Sequence, residues 1–266
     1  MVSPAQSTDF SNAQALFEPL HALAALGREL RGEIVGTFSR DGSLEEIWRF
    51  HFAGPGAGHD PIRLGLFAGV HGDEPAGCTA LAQFLIALAA EPQRAAGYEL
   101  WAYPIVNPTG YRCGTRETSA GKDLNREFWR QSSQPEVRFL ESEITLHALN
   151  GIITLHADDT SNGLYGFVSG AVLSEHLIEP ALLAAEQFLP RNRERVIDGF
   201  DAQRGIIADG YRGVLQALPS ITSPPFEITF ETPQKSPLHL QVEAFNAALQ
   251  TILVEYRYLL AIAQNI

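Results

Sequence analysis

Two histidines and several acids recur in this chain at points where an apolar run gives way to a turn. In "GVHGDEPAG", residues 69–77, His71 stands three residues before Glu74, directly after the apolar stretch "LGLFA". His156 closes "GIITLH" with Asp158 and Asp159 close behind, Asn107 follows "LWAYPIV", and Glu231 follows "FEITF". Two imidazoles and a carboxylate form a ligand set that zinc accepts, and a catalytic zinc takes three protein ligands and keeps a fourth position for water. On this reading His71, Glu74 and His156 hold one Zn2+ per chain. The bound water is acidified and a substrate carbonyl is polarised. Glu231 is then available as general base and proton shuttle. Asp73 diverges from its neighbours and could orient His71 from behind. Each residue also has a plain explanation as a polar group in a solvated turn. An HxxE pair alone is weak, and Asp158 and Asp159 suit a turn as well as a ligand shell. The metal reading rests on such residues falling at successive strand ends.

The elements that must position them follow from hydrophobic periodicity. "AQALFEPLHALAALGREL" is spaced as an amphipathic helix. "EIVGTFSRD" and "LEEIWRFHFAG" read as two strands joined by the Asp41-Gly42 turn signal. "IRLGLFAGV", "YELWAYPIVNP" and "GIITLH" are nearly continuous apolar runs, as in strands covered on both faces. "GLYGFVSG" and "FEITFETP" read as further strands. "AGCTALAQFLIALAA", "PEVRFLESEITLHALN", "LSEHLIEPALLAAEQFLP" and the closing "LHLQVEAFNAALQTILVEYRYLLAIA" read as helices, the third expected to kink or split at Pro180. Residues 108–129 read as a long ordered loop, and residues 191–224 have no clear pattern. Strands alternating with helices predict an α/β fold with helices on both faces of a mixed, mostly parallel sheet. Ligands bind such sheets beyond the carboxyl ends of their strands, where the polar residues above fall. No linker divides the chain, so residues 1–266 are expected to form a single domain, with residues 1–10 loose and an N-terminal helix and hairpin (11–60) packed on its body.

Composition narrows the function. The chain has 266 residues, 45% of them hydrophobic, enough for a sizeable core. Its 31 acids against 19 lysines and arginines give a net charge of −12. That balance argues against nucleic acid as a partner. No apolar run is long enough to span a bilayer, and the first residues lack a signal-peptide pattern, so a cytoplasmic location is expected. Two cysteines, Cys78 and Cys113, are too few for a disulfide scaffold. Their spacing leaves open whether they pair, and the oligomeric state is not readable.

Two further stretches make the pattern recognisable. They are "VNPTGYRCGTRETSAGKDLNREFW", residues 106–129, and "FEITFETP", residues 226–233. With "HGDE" and "TLH" they resemble the zinc carboxypeptidase superfamily, which includes the metallocarboxypeptidases and the succinylglutamate desuccinylase and aspartoacylase relatives. The likeness runs from about residue 60 to the end and is nearest to the small bacterial metallocarboxypeptidases. It implies a zinc carboxypeptidase-like fold, with His71, Glu74 and His156 as zinc ligands and Glu231 as the catalytic glutamate. It also implies that Asn125 and Arg126 hold a terminal carboxylate, chemistry suited to a planar guanidinium. Arg116 corresponds to the arginine that stabilises the developing oxyanion, with Arg112 as the alternative. Ala157 departs from the pattern, since relatives often carry glutamate directly after that histidine. Tyr211 lies in the region of the family's mobile tyrosine without a clear motif, and the specificity pocket falls within 191–224.

Three functions remain open on the sequence. One is a metallocarboxypeptidase acting on peptides with a free carboxylate. Another is an N-acyl amino acid deacylase using the same chemistry. The third is a metal-bound binding protein without catalysis, against which Glu231, Arg116 and Arg126 together argue.

Overall fold

The first elements form because the chain alternates around a tight turn. β1 (Leu30–Arg40) and β2 (Ser43–Ala53) pair antiparallel. The two residues between them, Asp41 and Gly42, both have positive φ, 53° and 78°, as a two-residue hairpin turn matching strand twist requires. The expected hairpin is thus present, preceded by α1 (Ala13–Ala24). The computed structural model describes residues 13–27, 29–58, 60–170 and 174–263. The expectation of a loose stretch at residues 1–10 lies outside them.

The apolar runs become β3 (Ile62–Ala68), β4 (Tyr98–Tyr103) and β5 (Gly151–Asp158). β6 (Tyr165–Gly170) and β10 (Phe226–Pro233) follow the predicted positions. Three strand pieces of two residues each, β7 (Val196–Ile197), β8 (Phe200–Asp201) and β9 (Ile206–Ile207), occupy part of the unassigned stretch. Among the described residues the main sheet has eight strands in the order β1-β2-β4-β3-β5-β10-β6-β9. Its centre, β4-β3-β5-β10, is parallel, while β1-β2, β2-β4 and β10-β6 are antiparallel. This is the mixed α/β architecture expected.

Helices cover both faces. α2 (Pro75–Ala90), α5 (Ser174–Ala185) and α6 (Leu238–Ala263) share a core cluster with Leu64, Leu66, Ile153, Leu155 and Phe230 of the sheet. α4 (Pro135–Leu146) packs on the other face with Phe67, Tyr103 and Ile152. α5 runs unbroken through Pro180, so the expected split does not occur. The 108–129 stretch, expected as an ordered loop, is partly helical. It holds a short helix, α3 (Pro108–Cys113), and a 3-10 turn at Leu124–Arg126. No helix among the described residues is long and apolar enough to cross a membrane. Cys78 is buried and Cys113 exposed, both as free thiols.

Candidate metal centre and active-site cleft

His71 and Glu74 occupy the bend between β3 and α2, and His156 lies near the carboxyl end of the neighbouring β5. Parallel pairing of β3 with β5 brings these ends together. The bend can approach α3 because residue 72 is glycine. A Cβ there would stand 1.9 Å from the Gly110 carbonyl carbon and 2.1 Å from the Tyr111 nitrogen. Pro75 then opens α2, where a missing N–H costs no helical bond.

The three side chains converge. His71 Nδ1 lies 2.6 Å from Glu74 Oε1 and 3.2 Å from His156 Nδ1, and His156 Nδ1 lies 3.0 Å from Glu74 Oε2. All three are buried, and their candidate ligand atoms fall within 4.8 Å of one another. The partners of His71 fix which nitrogen faces the cluster. On the far side of the ring, Nε2 donates to the Asp123 carboxylate at 3.3 Å. Nδ1 is turned into the cluster, with Glu74 Oε1 at 2.6 Å and Arg116 Nη1 at 3.2 Å. Its lone pair becomes available to a metal when the proton it shares with Glu74 leaves. Two nitrogens and a carboxylate with lone pairs turned to one point, the imidazole backed by an acid, fit a metal ion of zinc's preferences.

Charge in the cluster agrees with this. Burial opposes protonation of His71, but the Glu74 charge and the hydrogen bonds to Asp123 and Glu74 overcome it and raise its pKa to about 9. Without a cation the cluster draws a proton, and a metal would take its place. Burial likewise opposes ionisation of Glu74, yet the two histidines hold its pKa below the usual range. Glu74 Oε2 also accepts the Ala157 amide at 3.0 Å.

Asp73, read as a support for His71, does not take that part. Asp123 of "KDLNR" does, and sequence reasoning quoted that motif without assigning its first acid. Asp123 also accepts from Arg116 Nε at 3.2 Å and Nη2 at 3.0 Å, and from the Asn125 amide at 2.9 Å. One carboxylate thus links His71, Arg116 and the turn that carries Asn125 and Arg126. Arg112 instead pairs with Glu45 of β2. Asn107 is fully buried, caps α3 through Gly110 at 2.8 Å, and does not join the cluster.

A cleft of about 1040 Å³ opens over the cluster. His71, Glu74, Arg116, Asn125, Arg126 and Glu231 all line it. Glu231 pairs in register with His156 on one side and Tyr165 on the other. Burial, and then the charges of Glu74, Asp158 and Asp198, push its pKa well above the usual carboxylate range. Asn125 Oδ1 accepts the Leu215 amide at 2.9 Å, which leaves its NH2 as a donor. The Arg126 guanidinium lies 4.0 Å from the centre of the Tyr211 ring. Stacking there covers one face of the arginine, and along its edge Nη1 donates to the Asn125 carbonyl at 2.8 Å. Tyr211 in turn donates to Asp198 Oδ1 at 3.0 Å. Asp158 shapes its turn through the Thr160 amide at 2.7 Å and accepts the Tyr165 hydroxyl at 2.9 Å.

Comparison with known proteins follows the same lines. Residues 61–185 match the family model of the succinylglutamate desuccinylase/aspartoacylase catalytic domain. No curated protein matches the sequence. Among solved structures, a candidate metallopeptidase from Shewanella denitrificans OS217 aligns with TM-score 0.75 and 24% identity over 95% of this chain and 98% of that one. Another from Shewanella amazonensis SB2B aligns with TM-score 0.74 and 23% identity over 95% and 97%. A metallo-carboxypeptidase from Pseudomonas aeruginosa, solved with (2-guanidinoethylmercapto)succinic acid, aligns with TM-score 0.64 and 20% identity over 89% and 67%. At these identities the structures speak for the fold, and the family model adds the sequence of its central part. Residues 61–185 thus resemble the succinylglutamate desuccinylase/aspartoacylase catalytic domain, on a fold that the whole chain shares with these metallopeptidase structures.

Proposed function

We propose that the chain is a zinc-dependent hydrolase that breaks an amide bond next to a free carboxylate, as a metallocarboxypeptidase acting on peptides. The observation that carries this reading is the cluster of His71, Glu74 and His156 at a cleft that His71 and Glu74 line together with Glu231, Arg116 and Arg126. His71, Glu74 and His156 would hold one zinc per chain, which supplies an acidified water and a Lewis-acidic contact for the carbonyl. Glu231 takes the water proton and returns it to the leaving amine. Burial and the neighbouring acids raise its pKa above the usual carboxylate range, the direction that a proton acceptor needs. Arg116 faces the developing oxyanion. Asn125 and the N–H groups of Arg126 not given to the Asn125 carbonyl grip the terminal carboxylate. The Pseudomonas neighbour's ligand is itself a small dicarboxylate, which supports a substrate of that kind. The match to the desuccinylase and aspartoacylase domain favours a second reading, an N-acyl amino acid deacylase using the same groups.

The test is a substrate screen with zinc-loaded protein, covering C-terminal dipeptides, their amidated forms, N-acyl amino acids and muropeptides. Peptides with a free carboxylate should be cleaved and amidated forms spared. Glu231→Gln should retain zinc and lose roughly 10²–10⁴-fold in turnover. Faster cleavage of N-acyl amino acids would transfer the assignment to the second reading. Full turnover in Glu231→Gln would remove the proposed base.

A further inference from the structure

The cleft continues past the reacting groups, and strand parity shows where it leads. On β10, Phe226 and Phe230 pack against Tyr256 and Phe245 of α6. Glu227, Thr229 and Glu231 therefore face the opposite side, into the cleft. The registers of β5 and β6 on β10 arrange the floor in three rows. They are His156-Glu231-Tyr165, Thr154-Thr229-Phe167 and Ile152-Glu227-Ser169. Each step is two residues, about 7 Å, so Glu227 lies about 13 Å along the strand from Glu231. The middle row is uncharged and self-satisfied, since Thr154 donates to the Thr229 hydroxyl at 2.8 Å. The last row ends in a carboxylate.

That carboxylate is held in place but not neutralised. Glu227 Oε1 accepts the Ala217 amide at 2.7 Å, and Oε2 accepts the Ser169 hydroxyl at 2.5 Å. No lysine or arginine among the described residues pairs with it, and burial raises its pKa. A sunken carboxylate without a counter-charge costs free energy that two neutral hydrogen bonds only partly offset. One wall ties this group to the carboxylate-binding end. Gly213 to Gln216 and Pro219 line the cleft, with Leu215 bonded to Asn125 and Ala217 bonded to Glu227.

We propose that Glu227 selects the substrate side chain, favouring a terminal residue with a long cationic side chain such as lysine or arginine. The position of the substrate carboxylate at Asn125 and Arg126 is taken from the proposed function above. From there the apolar stem crosses the threonine row, and the ammonium or guanidinium supplies the counter-charge that Glu227 lacks.

Binding can be tested apart from turnover. L-arginine and its neutral near-isostere L-citrulline, and L-lysine and L-norleucine, are titrated calorimetrically into wild type, Glu227→Gln and Glu227→Asp. Wild type should bind each cation at least about tenfold more tightly than its neutral counterpart. Glu227→Gln should level that ratio with norleucine binding unchanged, and Glu227→Asp should fall between. Equal binding of the four ligands by wild type, or no binding of any, overturns the proposal. So does a Glu227→Gln variant that weakens all four alike, the outcome of a purely structural role. A hydrolysis arm with benzoylglycyl-arginine and benzoylglycyl-citrulline separates the two ideas. Failure to cleave either, with cation selectivity intact, would defeat the peptidase reading and support the subsite.

Discussion

Replacing Asp123 by asparagine tests the reasoning about the metal centre most directly, because this acid is shared by three partners. It faces His71 Nε2 at 3.3 Å, accepts twice from Arg116, and caps the Asn125 amide at 2.9 Å. Asparagine fills the same space with one acceptor oxygen and no charge. If that oxygen stays with His71 and Asn125, the amide NH2 turns toward Arg116, and the arginine loses its partner. If it turns toward Arg116, His71 loses its acceptor. In the first case a charge-assisted bond to the imidazole becomes a neutral one, a difference of about 1–2 kcal/mol. Arg116 is 40% exposed, so its pair adds at most about 1 kcal/mol. These figures agree with the 10–100-fold loss of metal affinity typical when a carboxylate behind a ligating histidine is removed.

Competitive titration of zinc against a chelator measures the loss, and it should depend on pH. Glu74 and Asp123 hold the His71 pKa up at about 9, so below that pH a proton competes with the metal. Removing the Asp123 charge lowers this pKa and weakens the competition, which partly masks the loss at neutral pH. The affinity deficit should therefore widen as pH rises toward about 9. An unchanged affinity across that range would refute the assignment of Asp123 as the residue that orients His71.

Two further perturbations probe the scaffold. Gly72→Ala places a methyl against the backbone of Gly110 and Tyr111, which cannot yield as a side chain could. It should cost about 3 kcal/mol and be seen as a lowered melting temperature. An unaltered melting curve would show that the close approach is not required. Behind the sheet, burial acts against ionisation of Glu143, yet hydrogen bonds from His147, Tyr103 and Arg49 hold its pKa at about 2. A depressed carboxyl stabilises the fold above its unfolded pKa of about 4.3 and loses that contribution as pH falls toward about 2. Screening reduces this to on the order of 1–2 kcal/mol. Glu143→Gln should flatten the acid limb of the stability curve between those values, and an identical limb would remove Glu143 as its source.

The elements were legible where periodicity is strong and the turn chemistry simple. The Asp41-Gly42 hairpin and the runs of β3 and β5 needed only local rules, since each strand's burial is written in its own residues. α3 escaped because it is six residues long and starts at a proline, a signal indistinguishable from a turn. The 191–224 stretch escaped for a related reason. β9 is held by a distant partner, Gly166 and Phe167 of β6, while β7 and β8 pair locally across Asp198-Gly199 but are two residues each, too short for periodicity to mark. The split expected at Pro180 is absent, because the packing of α5 on α6 keeps the helix together without one backbone bond.

The site was legible in residue type and less so in partnership. His71, Glu74, His156 and Glu231 stand out because strand ends gather in one place in a parallel sheet. Asp73 and Asp123 could not be told apart by proximity in sequence, because at a sharp bend the adjacent side chain points away while one fifty residues later points in. Ala157 makes the same point from the other side. Its missing carboxylate is a departure from the family pattern, yet the contact residue 157 makes with the cluster is its backbone amide to Glu74 Oε2. Any residue except proline supplies that amide. The departure thus leaves the hydrogen bond on Glu74 intact.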